Sequence, residues 1–356
     1  MTTVWILGAG QLGAMLKHAG MPLNIEVRPV ALDSTEIPLT DSDDLVTPEI
    51  EHWPETPATQ ALASHNNLVN RSVFGLLADR LSQKQLLDKL NLATAPWQQV
   101  DSHIGEADLH AKLGERVLLK QCRGGYDGKG QHWLRQSDNS QIPPQWRNAA
   151  IAERAIPFDE EVSVIGVRDA KGNTAFYPLV LNLHVNGTLT ASIAPLDRLA
   201  HLQNQAETML SAILHDLNYV GVMAMECFRV GDTLLVNELA PRVHNSGHWT
   251  QAGCSISQFE SHLRAVCGLP ILAPTTKGLT LMVNLLGCER DDRWLEIPQA
   301  ELWWYGKDVR PGRKVGHINL CIGSAARGKQ SLAALAPLLP PWYADVFAWI
   351  RTNIKP

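Results

Sequence analysis

The chain has 356 residues, of which 45% are hydrophobic and 19% charged, and its 26 Gly and 21 Pro are spread along the chain rather than clustered. That composition excludes disorder, collagen and coiled coil, and leaves an ordinary globular protein with room for two or three domains. A formal charge of −5, from 31 Lys and Arg against 36 Asp and Glu, removes any general electrostatic case for nucleic acid or an anionic membrane surface, although local basic sites can still meet phosphates. Six cysteines lie far apart without a C-x-x-C pair, which predicts reduced thiols and no disulfide or structural zinc framework. No 18-residue apolar run and no basic leader occur, so the expected address is the cytoplasm, with no membrane partner.

In chain order, residues 3–7 read as a short β run, followed by a glycine turn (Gly8-Ala9-Gly10-Gln11-Leu12-Gly13) and a helix to about Gly20. A second strand over 25–32 ends at Asp33, residues 45–47 form a strand tip, and 55–64 are helical. Together these predict an open α/β domain with a Rossmann-like parallel sheet over 1–95. Within it, Ser82-Gln83-Lys84-Gln85 resembles a capping box opening a helix to Leu90, and Ala95-Pro96-Trp97 breaks the pattern. From Arg116 the texture is that of an α+β domain spanning 96–270, with strands at 117–120, 131–134, 161–167, 175–183 and 189–193. A long amphipathic helix over 196–217 precedes strands at 221–228 and 234–239. Residues 271–356 form a small C-terminal domain.

Gly8-x-Gly-x-x-Gly13 after a strand matches the dinucleotide fingerprint, and Asp33 lies where a ribose-binding acid would sit. The motif's physical content is wider than NAD, because backbone N–H groups at a helix N-terminus face any phosphate. A tight strand–helix turn, NAD and a phosphorylated substrate therefore all remain open from this motif alone. A second glycine loop carries more. Lys120 closes an apolar run, and Gly124, Gly125, Gly128 and Gly130 then place four glycines within seven positions beside Arg123 and Lys129. Such a hairpin can cover a polyphosphate with its amides while Lys120 supplies a point charge. The spacing is not that of a P-loop.

Two carboxylates follow. The runs 223–228 and 234–239 flank Gly231-Asp232-Thr233, read as a three-residue hairpin loop. A register centred on Asp232 puts Glu226 opposite Glu238. Like charges across a ladder are destabilising unless a cation neutralises them, and Mg²⁺ is the usual ion bridging two carboxylates and phosphates. Beyond Glu238 come Arg242, His244, Asn245, Ser246, Gly247 and His248, a cluster suited to an anionic substrate. The missing H-E-x-x-H pattern and the intervening Asn-Ser-Gly argue against zinc. Arg313 and Lys314 follow a Pro-Gly turn as a third cationic group.

Together these strings resemble the N5-carboxyaminoimidazole ribonucleotide synthetases, the PurK-type ATP-grasp enzymes of purine biosynthesis, over nearly the whole chain. The carrying residues are Lys120, Gly124 to Gln131, Glu226, and Asn237 to Trp249. The N-terminal turn, Val46 to Glu51 and Arg313 to His317 are also similar. The resemblance implies a three-domain ATP-grasp architecture, with ATP and Mg²⁺ as cofactors, 5-aminoimidazole ribonucleotide and bicarbonate as substrates, and a homodimer. It implies that Lys120 and the loop Gly125, Tyr126, Asp127, Gly128, Lys129, Gly130 and Gln131 bind the triphosphate. Glu153, Arg154, Ala155 and Ile156 would line the adenine pocket and Glu161 would take the ribose. Arg80, His184 and Asn237 would complete the ATP site, and Glu226 and Glu238 would hold Mg²⁺. Gly10, Gln11, Leu12, Glu49, Asn245, Ser246, Gly247, Arg313 and Lys314 would bind the ribonucleotide, its phosphate lying in the N-terminal turn. Tyr126, Asp127, Arg242, His244 and Lys314 would serve the chemistry. Gln121 and Cys122 depart from the more polar or basic residues expected after the lysine. The rival readings are a related ATP-grasp ligase or carboxylase using formate or biotin, an NAD-dependent oxidoreductase, and a catalytically dead nucleotide-binding regulator.

Overall fold

The structure is a computed structural model that describes residues 2–125, 128–138, 140–322 and 325–354, without the side chains of 325–327. Its described residues form three sheets. The first is parallel, in the order β2-β1-β3, from β1 (Thr2–Leu7), β2 (Ile25–Val30) and β3 (Leu45–Pro48). The helix Gln11–Gly20 crosses between β1 and β2 and buries Leu12, Met15 and Leu16, the i, i+3, i+4 stripe its sequence offers.

The second sheet is antiparallel, in the order β4-β7-β5-β6, from β4 (Trp97–Val100), β5 (Arg116–Gln121), β6 (Gln131–Arg135) and β7 (Ala150–Arg154). It has its own core, in which Val117, Leu119, Leu134 and Trp146 pack with the helix residues Leu109 and Leu113.

The third sheet has nine strands: β8 (Glu160–Arg168), β9 (Thr174–Phe176), β10 (Val180–Val185), β11 (Thr188–Ala194), β12 (Gly221–Val230), β13 (Thr233–Ala240), β14 (Leu279–Leu286), β15 (Ala300–Trp304) and β16 (Lys314–Ile322). Both faces are covered. On one face Leu210, Ile213, Leu332, Phe347 and Ile350 pack from helices, and on the other lie Trp249, Phe259, Leu263 and the N-terminal helix. This is why the start of β12 reads as an unbroken buried run rather than an alternating one. The boundary expected at 95 falls just before β4. Past the one expected at 270, β14 to β16 continue the nine-stranded sheet through β11–β14 pairing.

Three local expectations are corrected. The helix expected over 196–217 is a 3-10 turn, Asp197–Leu202, followed by an α-helix, Gln203–Asp216. Leu199 and Leu202 are buried three residues apart, the spacing of the tighter helix. The hairpin loop is two residues, since Val230 pairs with Thr233, and a one-residue bulge between Glu226 and Cys227 restores the expected pairing of Glu226 with Glu238. Finally, the helix predicted to start at Ser82 begins at Arg80. Its N-cap is Asp79, whose carboxylate accepts from Leu81 N–H at 2.9 Å and Ser82 N–H at 3.3 Å. Asp79→Ala is therefore expected to lower stability by about 1 kcal/mol, while Ser82→Ala stays within about 0.5 kcal/mol, as measured by urea unfolding.

Candidate active site

The small sheet and the large sheet face each other across a cleft of about 820 Å³. Its upper wall comes from β5 and the glycine loop. Gly124, Gly128 and Gly130 have φ of +79°, +76° and +68°, a backbone that only glycine adopts without strain, so the loop's shape requires its unusual composition. Gly125 and Gly128 line the cleft, as does Gln131 at the start of β6, and Gly130 C=O closes the hairpin by accepting from Gln121 N–H at 2.9 Å. Lys129 lies between these glycines in the same turn. Tyr126 and Asp127 lie outside the described residues.

Arg80 secures this wall. Its guanidinium donates to Gln121 C=O and Gly125 C=O, both at 3.0 Å, and its backbone N–H donates to Cys122 C=O at 2.9 Å. Gln121 and Cys122 thus serve Arg80 through their main chain, which explains why their side chains are free to depart from the expected types. Arg80 also reaches Glu238 at 3.5 Å.

The floor is the β12–β13 hairpin. The bulge leaves Asn237 as the extra residue, so Asn237 and Glu238 both line the cleft instead of alternating across the strand. Asn237 Oδ1 accepts from Lys120 Nζ at 2.9 Å, joining the two sheets. Gln83 holds the far end of β13 by accepting from Leu239 N–H at 3.0 Å and donating to Leu239 C=O at 3.2 Å. Glu226 and Glu238 face each other as a directly opposed pair. Burial pushes the Glu226 carboxyl above its ordinary range, and the Glu238 and Glu161 charges add to the push against the pull of His184. Two crowded carboxylates are a donor set suited to a hard divalent cation. Glu161 pairs with His184 at 2.8 Å on the neighbouring strands β8 and β10. Burial alone would lower the His184 pKa, but the hydrogen bond to Glu161 and the charges of Glu226 and Glu161 raise it.

His244 sits beside Glu226, Nε2 to Oε1 3.6 Å. Its Nδ1 accepts the Ser246 backbone N–H at 3.3 Å, and a backbone N–H can only donate, so the neutral ring carries its proton on Nε2, toward the cleft. Burial, with the charges of Arg242 and Lys314, holds its pKa well below the usual value, which keeps the ring neutral. Arg242 pairs with Glu51 at 2.8 Å, and Asn245 lines the cleft with both polar atoms of its amide unsatisfied by protein. Ser246 and Gly247 are buried behind them, Ser246 accepting from Ser163 at 2.8 Å. Lys314 lines the same end, whereas Arg313 turns to Asp308 C=O at 3.1 Å.

The N-terminal turn differs from the open phosphate cradle expected of it. Its amides are occupied from within: Gly10 N–H donates to Glu49 Oε1 at 2.5 Å, and Gly13 N–H donates to Glu49 Oε2. Gly8, at φ +127°, leaves the space that the Glu49 side chain fills. Gln11, Leu12 and Glu49 line the cleft, while Asp33 lies exposed. Glu49 thus holds the Gly10 and Gly13 amides that the fingerprint would offer a dinucleotide pyrophosphate.

Of the residues expected at the adenine pocket, Arg154 turns away to Leu113 C=O at 3.1 Å and Lys112 C=O at 3.2 Å, and Ala155 N–H pairs with Arg116 C=O at 3.1 Å. Ile156 C=O accepts from Phe158 N–H at 3.1 Å, and Phe158 stacks on Phe228, centroids 4.5 Å apart, at the cleft's edge. Glu153 is buried, between Lys84 at 2.6 Å and Lys120 at 2.7 Å. Sequence reading missed Lys84, Glu51 and the Phe158–Phe228 pair. Lys84 was visible in principle, as a lysine on the same helix stripe as Leu87.

A glycine loop on a small antiparallel sheet that also carries Lys120, set across a cleft from two glutamates of a larger sheet with Arg80 between them, defines an ATP-grasp enzyme, and the ATP-grasp domain family matches residues 85–259. The phosphoribosylaminoimidazole carboxylase C-terminal domain matches residues 280–331. The chain is 50% identical to the N5-carboxyaminoimidazole ribonucleotide synthase of Escherichia coli K12, covering 99% of both chains, and 49% identical to that of Haemophilus influenzae, covering 99% and 98%. Among solved structures, the Thermus thermophilus N5-carboxyaminoimidazole ribonucleotide synthetase superposes with TM-score 0.79 at 37% identity, over 95% of this chain and 99% of that one. An Aspergillus clavatus enzyme complexed with ADP and 5-aminoimidazole ribonucleotide gives 0.79 at 26%, over 95% and 97%. The chain belongs to the N5-carboxyaminoimidazole ribonucleotide synthase family.

Among these groups, Glu153 sets a pH dependence. Burial pushes its carboxyl up, but the Lys120 and Lys84 charges and hydrogen bonds outweigh that and bring it from 4.5 down to about 2. A depressed carboxylate contributes stability that is present above the ordinary value and lost as pH falls through the folded one. Unfolding free energy should therefore drop between about pH 4.5 and pH 2, and denaturant titrations of Glu153→Gln should show a shallower slope over that window.

Proposed function

We infer that the chain is an ATP-dependent carbon–nitrogen ligase that carboxylates 5-aminoimidazole ribonucleotide to N5-carboxyaminoimidazole ribonucleotide in purine biosynthesis. The observation that carries this reading is the convergence in one cleft of Arg80, Lys120, Glu226 and Glu238 with Arg242, His244, Asn245 and Lys314. One half of that set fits a triphosphate and the other a small acid beside a ribonucleotide.

Bicarbonate is a poor electrophile. Attack of its oxygen on the ATP γ-phosphorus releases ADP and forms carboxyphosphate. The substrate amine then attacks the carboxyphosphate carbon and phosphate leaves, so no nucleophilic side chain is required. Lys120 and the loop amides of 125–131 would bind the phosphates, with Arg80, Glu161, His184 and Asn237 completing the nucleotide site. Glu226 and Glu238 would hold Mg²⁺, whose charge offsets that of the phosphates. Arg242 and the Nε2–H of His244 would orient the small acid and stabilise its developing charge by donation, a role for which a neutral ring suffices. Lys314 would meet the ribonucleotide phosphate, with Gln11, Leu12, Glu49 and Asn245 around its sugar and base. Tyr126 and Asp127 would cap both substrates from the lid, which excludes water from the fragile acyl phosphate.

This reading divides the work among 1–95, which supplies Arg80 and the ribonucleotide-binding Gln11, Leu12 and Glu49, 96–270, which supplies the rest of the ATP site with Arg242, His244 and Asn245, and 271–356, which supplies Lys314. It includes a homodimer acting in the cytoplasm; among the described residues, no helix is long and apolar enough to cross a membrane.

Labelled bicarbonate should appear in an acid-labile carbamate, with ADP released rapidly only when Mg²⁺, bicarbonate and the aminoimidazole ribonucleotide are all present. Product formed from formate or biotin, without transfer of that label, would overturn the assignment. Glu226→Gln and Glu238→Gln should each lose ATP turnover by about a hundredfold or more while melting normally, since each removes one anion aimed at the metal and transferring phosphate. Wild-type-like turnover in both would remove the metal assignment. Calorimetric titration with NAD and NADP should show no binding, because Glu49 holds the amides a pyrophosphate needs.

A further inference from the structure

We propose that Lys84, which lines no part of the cleft, is a positioning residue for ATP: by holding one oxygen of Glu153 it leaves Lys120 a positive charge to offer the triphosphate. The inference rests on the ATP-site reading above and adds a residue to it.

The three side chains come from three elements, Lys84 from the helix Arg80–Lys89, Lys120 from β5 and Glu153 from β7. In the β5–β7 register Lys120 pairs with Ile151, so Glu153, two residues further along β7, lies on the same face. Lys84 Nζ lies 2.6 Å from Glu153 Oε1 and Lys120 Nζ lies 2.7 Å from Glu153 Oε2, and the side chains are only 3%, 7% and 4% exposed for Lys84, Lys120 and Glu153. Lys120 is the one that reaches the cleft, where it also donates to Asn237.

Charge counting gives the consequence. Glu153 and Lys120 alone would make a neutral pair beneath the phosphates. Lys84 supplies the second cation, so the group carries a net single positive charge, and Glu153 engages Lys120 through one oxygen instead of two. Lys84 is itself fixed: it donates to Thr94 Oγ1 at 2.5 Å, and Thr94 donates to Val236 C=O at 2.6 Å, next to the Asn237 bulge. The triad therefore ties the helix and the small sheet to β13 at the point where Lys120 crosses. Without Lys84, the buried carboxylate has Lys120 as its sole cation and draws that ammonium away from the nucleotide.

The test is a double-mutant cycle on the full-length protein, with MgATP binding read by calorimetry and steady-state kinetics alongside. Lys84→Met is expected to weaken MgATP binding and raise its KM about tenfold or more. The KM for the aminoimidazole ribonucleotide should stay within about twofold, a split that general loosening of the fold would not produce. In a Glu153→Gln background the same Lys84→Met change should alter MgATP affinity by about threefold or less, since the group it acts through is gone. A folded Lys84→Met protein with wild-type MgATP affinity would overturn the proposal. So would an equally large loss in the Glu153→Gln background, a comparison that holds even where Lys84→Met alone does not fold. Wild-type protein unable to bind MgATP would instead overturn the nucleotide reading itself.

Discussion

The arrangement of the cleft follows from one electrostatic conflict, the placing of Glu226 directly across a ladder from Glu238. Burial and the Glu238 charge raise the cost of ionising Glu226, and the fold answers the conflict with donors from neighbouring elements. Arg80 approaches Glu238 from the start of the helix Arg80–Lys89, the neutral His244 turns its Nε2–H toward Glu226 from the loop after β13, and His184 engages Glu161 beside them. Each comes from a different element, so answering two charges brings the helix, the loop after β13 and the large sheet to one place, and Arg80 draws in the small sheet through Gln121 C=O. The same imbalance leaves a donor set of the kind that suits a hard divalent cation.

The β-bulge is the geometric counterpart. A regular hairpin with the observed two-residue turn would offset the two glutamates by one residue and send them to opposite faces. The extra residue, Asn237, corrects the register and lies beside Glu238 on the same wall, where it receives Lys120. A local irregularity thus supplies both the carboxylate pair and the contact that joins the sheets.

The two glycine-rich segments show how far a motif's meaning depends on what surrounds it. Both present backbone amides. In the N-terminal turn those amides are taken by Glu49, which arrives from the end of β3, and the fingerprint becomes an internal carboxylate clasp. In the β5–β6 loop the amides border a wide cleft, with Lys120 below and Arg80 behind. Identical local chemistry therefore closes on an internal carboxylate in one case and borders a cleft in the other.

The sequence by itself determined the classes of element, the glycine loop, the hairpin that carries Glu226 and Glu238, and the family resemblance, because these depend on local periodicity and strings of adjacent residues. It did not contain the partner of Glu49, the backbone role of Gln121 and Cys122, the tautomer of His244 or the place of Lys84. Each of those is decided by groups far apart in sequence, as with Lys84 and Glu153, whose meeting depends on how a helix lies against a strand formed some seventy residues later. Nor was the bulge legible, since a one-residue slip in the ladder is set by the segment near Thr94 that packs along β13 and by Gln83 holding its end, and neither lies in the hairpin. Local pattern fixes what each residue can do, and only tertiary packing decides which of those capacities meets a partner, because charge and hydrogen-bond energies depend on distance in space and not on distance along the chain.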